Sequence, residues 1–192
     1  MVAYEVVQRD YPRVVTWEEI EKRQGDVRRG DYVVVRRSRE SGGKRYGPGP
    51  YDRNDYYYFV PIVRFNTHTG NPVVKLGNKE VEVGLGEISN DPYKDGVERG
   101  LFATPERLKE MAKNNVPLTD EMILIGNKDV GIIRNVITRE NKLLGKPKIE
   151  TVEVEILTGP NAGSMAKIDV KKGNVTSIYA QPPHSTQTAT QH

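Results

Sequence analysis

The 192-residue chain has no cysteine, which excludes disulfides and thiolate metal sites. Such a chain fits an intracellular protein, or one hardened against oxidation and heat. No uninterrupted apolar run approaches the roughly 20 residues that a membrane helix needs, and the mean hydropathy is −0.64. The first residues, MVAYEVVQRDYPR, lack the apolar middle of a signal peptide, so export by that route is not expected and the cytoplasm is the expected compartment. There are only three histidines: His68 falls in a turn, and His184 and His192 fall in a polar tail. Nothing in their spacing makes them converge with carboxylates, so no metal is expected.

Phosphate-binding and nucleophile motifs are missing too. The chain has no Gly-x-x-x-x-Gly-Lys-Ser/Thr loop, no Gly-x-Gly-x-x-Gly after a strand and no Gly-x-Ser-x-Gly elbow. The carboxylate pairs Glu18/Glu19 and Glu153/Glu155 read as solvated faces of a helix and a strand. A non-catalytic protein without a cofactor is the expectation.

What the chain does have is localised charge. The formal net charge is only +3, yet residues 28–53 hold eight bases (Arg28, Arg29, Arg36, Arg37, Arg39, Lys44, Arg45, Arg53) against three acids. The rest of the chain is therefore slightly acidic, and a concentrated basic stretch is what steers an anionic partner. The same stretch is rich in glycine, proline and tyrosine (GGKRYGPGPYDRNDYYYF). Alternating Gly-Pro predicts an extended, exposed loop over about 36–55.

A mainly β fold is expected, a small barrel or sandwich built as an antiparallel meander with one or two short covering helices. Val2–Val7 reads as a strand, and Thr16 to Glu19 as a capping box opening a helix over about 17–24 that stops at Gly25. The only tryptophan, Trp17, is expected in the core beside Ile20. Three consecutive valines, Val33–Val35, predict a strand buried on both sides. Tyr56–Phe65 returns as a strand that Pro61 makes an edge or bulges. Gly77-Asn78 closes a hairpin between Val73–Leu76 and Glu80–Val83. Residues 84–100 are turn-rich and suggest a boundary, and Thr104-Pro105 opens a clear helix with Leu108, Met111 and Ala112 on one face.

Beyond it, Met122–Ile125, Val130–Thr138, Ile149–Leu157, Met165–Val170 and Val175–Ala180 are short strands separated by turn residues. The organisation read from this is a β-rich region 1–100 carrying the basic loop, a helix-plus-meander region 101–180, and an extended polar tail 181–192 that cannot fold alone.

Within the meander, VEVEILTGPNAG (152–163), followed by Ala166–Val170 and Gly173-Asn174-Val175, resembles a KOW motif. That motif belongs to SH3-like barrels of NusG-type transcription factors and some ribosomal proteins. The resemblance covers residues 151–180 and departs from the pattern at Ser164-Met165-Ala166, where the family usually supplies a second glycine and a basic or bulky residue. It implies an SH3-like barrel whose turn touches RNA or protein, which would make Pro160, Asn161 and Lys167 contacts.

Two functions of different classes fit. One is nucleic-acid binding, RNA or DNA, with arginines on phosphates and tyrosines as stacking platforms. The expected contacts are Arg28, Arg29, Arg36, Arg37, Arg39, Lys44, Arg45, Tyr46, Tyr51, Arg53 and Tyr57. Three adjacent tyrosines on a strand point alternately in and out, so at least one of Tyr56–Tyr58 is core. The other is a structural subunit of a large particle, such as a viral capsid, tail or decoration protein. Its loops and tail would lash to neighbouring subunits, with homo-oligomers as partners and the virion as its place.

Overall fold

A computed structural model describes residues 9–23, 26–38, 55–140, 143, 145 and 147–180. The strand read over Val2–Val7, the tail 181–192 and the loop residues Arg39, Lys44, Arg45, Tyr46, Tyr51 and Arg53 lie outside the described residues.

Among the described residues the fold is mainly β: two antiparallel sheets and three short helices, sandwich-like, with no closed barrel. The first sheet holds β1 (Tyr32–Ser38), β2 (Asp55–Phe65), β3 (Pro72–Leu76) and β4 (Lys79–Glu82) in sequence order. All three valines of β1 are fully buried, as their run predicts. Val33 and Val35 join Trp17, Ile62 and Val74 in the core of this sheet, while Val34 points the other way. Pro61 neither makes β2 an edge nor bulges it: β2 lies between β1 and β3, and Pro61 pairs in register with Tyr32. The pairing to β3 begins only at Ile62, and the register slip falls beyond Pro61, between Ile62 and Arg64. After β4 the chain crosses back to the free edge of β1, where Arg36 N–H donates to Glu87 O (2.7 Å) and Ser89 N–H to Val34 O (3.0 Å).

Of the helices, α1 (Trp17–Glu21) is shorter than its expected span. Thr16 caps it by accepting from Glu19 N–H, but the Glu19 carboxylate turns to Arg13 (2.6 Å) instead of closing the capping box. Helix α2 (Pro92–Glu98) occupies the stretch read as turns and brings the helices among the described residues to three. Helix α3 (Pro105–Lys113) starts at the Thr104 cap, with Leu108 and Met111 buried.

The second sheet runs β5 (Met122–Ile125), β6 (Asp129–Arg139), β7 (Lys148–Ile156), β8 (Ser164–Asp169) and β9 (Val175–Ala180), the meander read from the sequence. Its core gathers Ile123, Ile133, Val152, Val154 and Ile168 under α3. Gly131 in β6 is required there: a Cβ would come within 2.3 Å of Val154 Cγ1 and 2.8 Å of Ile125 Cδ1. Gly131→Ala is expected to cost about 1–3 kcal/mol by overpacking, measured as a lowered urea midpoint at constant m. A third cluster joins the sheets, with Val14, Val34 and Phe59 meeting Phe102 and Val130.

Candidate nucleic-acid interface

Strands β1 and β2 form a ribbon whose connection is the basic loop, and their register fixes what each face presents. Tyr32/Pro61, Val34/Phe59, Arg36/Tyr57 and Ser38/Asp55 are cross-strand partners, and so are Val33/Val60, Val35/Tyr58 and Arg37/Tyr56. Directly opposed residues share a face. Arg36 and Tyr57 therefore lie toward the joining cluster, and Arg37, Tyr56 and Tyr58 on the opposite face.

The first face is already occupied. Arg36 Nε pairs with Asp55 Oδ2 at 2.9 Å, and the Arg99 guanidinium sits 4.9 Å over the Tyr57 ring. Tyr57, one of the expected contacts, is half-buried against the joining cluster, with its ring under the Arg99 guanidinium. The second face is the one that carries Val33 and Val35 into the core, and it opens only at its loop end. Tyr56 and Tyr58 are 45% and 37% exposed, two residues apart on one strand and beside Arg37. Arg37 Nη1 is held at 2.6 Å by Glu87 Oε2, so its charge is largely compensated. Both arginines are also strand residues, not the loop residues expected.

Arg28 and Arg29 lie elsewhere. They precede β1, whose seven residues at ~3.3 Å each set them some 20 Å from the loop end. Arg28 Nη2 is 3.0 Å from Asp26 Oδ2. With Tyr11, Pro12 and Asp31 these two arginines line a shallow cavity of about 190 Å³. The β7–β8 turn reaches the same end, because Gly159 N–H donates to Pro12 O (2.9 Å). Gly159 is buried with φ +88°, and a Cβ there would meet Asp129 Oδ1 at 2.2 Å. Burial raises the Asp129 carboxyl above its ordinary range. The next residues, Pro160 and Asn161, are exposed. Lys167 lies on the outer face of β8, 5.7 Å from the Tyr179 ring. The Tyr179 hydroxyl donates to Glu153, and that bond pushes its pKa up to about 12.

The expected contacts thus divide between two ends of the molecule. All of Tyr56–Tyr58 could serve as stacking platforms by sequence, and of the three Tyr57 is the expected contact, whereas the exposed pair is Tyr56 and Tyr58. Strict alternation was visible in the sequence, but which parity faces outward depends on the partner strand.

Among the described residues no group of His, Asp or Glu could hold a metal ion, and no helix is long and apolar enough to cross a membrane. No protein-family model, curated protein or solved structure matches the chain.

Proposed function

We propose that this is a non-catalytic binding protein that holds single-stranded nucleic acid on the Arg37–Tyr56–Tyr58 face of the β1–β2 ribbon. The observation that carries this reading is the pair of exposed tyrosines at the base of a basic loop. Exposed aromatic rings on a strand stack on bases regardless of sequence, because every base has a π-face. Ion pairs already compensate Arg36 and Arg37, so the phosphate contacts fall to Arg39, Lys44, Arg45 and Arg53 of the loop.

The test is titration of a labelled oligonucleotide across a salt series. Tyr56→Ala and Tyr58→Ala are each expected to weaken binding about 5- to 150-fold, from 1–3 kcal/mol per stacked base. Replacing the four loop bases with serine should flatten the slope of log K against log salt by up to ~3, at about 0.7 per lost phosphate contact on a single strand. Absence of binding even at low salt, or binding indifferent to both tyrosines, overturns the reading.

A structural subunit of a larger particle is the second reading. The observation that favours it is the uncharged strand β9 at the edge of the five-stranded sheet.

A further inference from the structure

Sheet edges are where one chain can pair with another, and this fold guards its edges unequally. Residues 87–89 cover the outer edge of β1, and Ala103 covers that of β5 by giving its N–H to Met122 O (2.9 Å) and taking that of Leu124 (3.1 Å). The edge strand β4 is only four residues long, KEVE, and three of them are charged. Charge and shortness are the usual protections of an edge.

Strand β9 has none of these. Its sequence VTSIYA carries no charge and no proline, and among the described residues no backbone group pairs with its outer side. Two of its residues show apolar surface on the side that should be core. Ile178 is paired with Ala166 and Val175 with Ile168, both partners buried, yet Ile178 is 48% and Val175 36% exposed.

We propose that β9 is a self-association edge that pairs antiparallel with β9 of a second copy of this chain, joining two five-stranded sheets into one. The occupant follows from self-complementarity. In an antiparallel pair, residues of one face must oppose each other. Among the registers that satisfy this, the one that buries the most exposed apolar side chain sets Ile178 against Ile178 of the second copy on the two-fold axis. Tyr179 then opposes Ser177, and Thr176 opposes Ala180. No charge meets a like charge anywhere along the strand, whereas a self-paired β4 would bring Lys79, Glu80 and Glu82 together. The exposed apolar side chain is the one that becomes buried. A two-fold contact of this kind closes on itself and forms no fibre. One strand pair is small beside the ~1,200–2,000 Å² of stable interfaces, so association should depend on concentration. The inference stands on the β9 edge alone and does not depend on nucleic-acid binding.

Sedimentation of the full chain from low micromolar to sub-millimolar concentration tests it, with two variants. The wild-type chain should shift from monomer to dimer. Ile178→Lys places two ammonium groups face to face at an exposed position and should weaken dimerisation roughly tenfold or more while the monomer still folds. Because the chain has no cysteine, Ile178→Cys offers a single thiol per monomer. It should form an intermolecular disulfide on mild oxidation, far faster than Val116→Cys at an exposed site away from β9. A wild-type chain that stays monomeric throughout overturns the proposal; the edge would then be covered within one chain, by its own N-terminal or C-terminal segment. A dimer that persists in Ile178→Lys, or that Ile178→Cys fails to crosslink, overturns it as well.

Discussion

Replacing Asp31 with alanine is expected to cost about 3–5 kcal/mol, the usual effect of stranding one member of a buried ion pair. Asp31 is fully buried, and its carboxylate is saturated. Oδ1 accepts from Arg9 Nη1 (2.6 Å) and Arg13 N–H (3.2 Å), and Oδ2 accepts from Arg9 Nη2 (2.7 Å) and Arg28 N–H (2.9 Å). The Arg9 side chain is itself only 10% exposed, and the bond from Asp31 raises its pKa above the ordinary value. One carboxylate thus fastens residues 9–13 to the turn that opens β1. Without it two backbone N–H groups lose their acceptor, and the Arg9 guanidinium loses its buried counter-charge and keeps only the carbonyls of Tyr11 and Asp26.

Asp31→Asn should be nearly as damaging, since its amide turns an NH₂ toward Arg9. Arg9→Met with Asp31→Leu should recover part of the loss, because removing both charges removes the stranded one. Urea unfolding at neutral pH is the measurement, with the midpoint falling at constant m. Against a total stability of about 5–15 kcal/mol the loss would be conspicuous. A decrease under about 1 kcal/mol would show that the pair holds nothing together.

No local signal announced Asp31. In the sequence it follows Gly30 at the start of a strand and looks like a turn residue, because the arginine that makes it central lies 22 positions earlier. The same limit runs through the chain. The strands were legible because two-residue alternation and turn chemistry are local, and the Gly77-Asn78 hairpin and the Thr104 cap were legible for the same reason.

Helix α2 was hidden by its own composition. Asp91-Pro92, Gly96 and Gly100 read as helix breakers, yet Gly96 sits inside the helix, because the Phe102 ring fills the space where its Cβ would be. Packing overrode propensity there. The candidate site was half legible. Charge and tyrosine content located the ribbon, but the pairing of Arg36 with Asp55 and of Arg37 with Glu87, 19 and 50 positions away, cannot be read along a strand. These partners move the weight of the site from arginines to Tyr56 and Tyr58.

Phe102→Ala is expected to do more than lower stability. Phe102 is 2% exposed and meets Phe59 edge-on, with ring centres 4.9 Å apart at 86°. Phe59 in turn stacks on Tyr32 at 4.7 Å and 16°. Truncating a buried phenylalanine costs about 3–5 kcal/mol, and Gly96 has no side chain to fill the space the ring leaves. The cluster that loses this ring is the one joining the two sheets, with Val34 on one side and Val130 on the other, while each sheet keeps a core of its own.

The expected consequence is loss of cooperativity. Trp17, the only tryptophan, lies in the first sheet's core, so its fluorescence reports that core, whereas far-UV circular dichroism reports both sheets. In the wild-type chain the two signals should follow one urea transition, and in Phe102→Ala the curves should separate. Curves that still coincide at unchanged m, with only a lower midpoint, would mean that contacts such as Gly159 to Pro12 and Ala103 to β5 couple the sheets without the aromatic joint. The reciprocal change, Gly96→Val, drives a side chain into the Phe102 ring from the other side, so it should separate the same two signals while leaving both sheet cores intact.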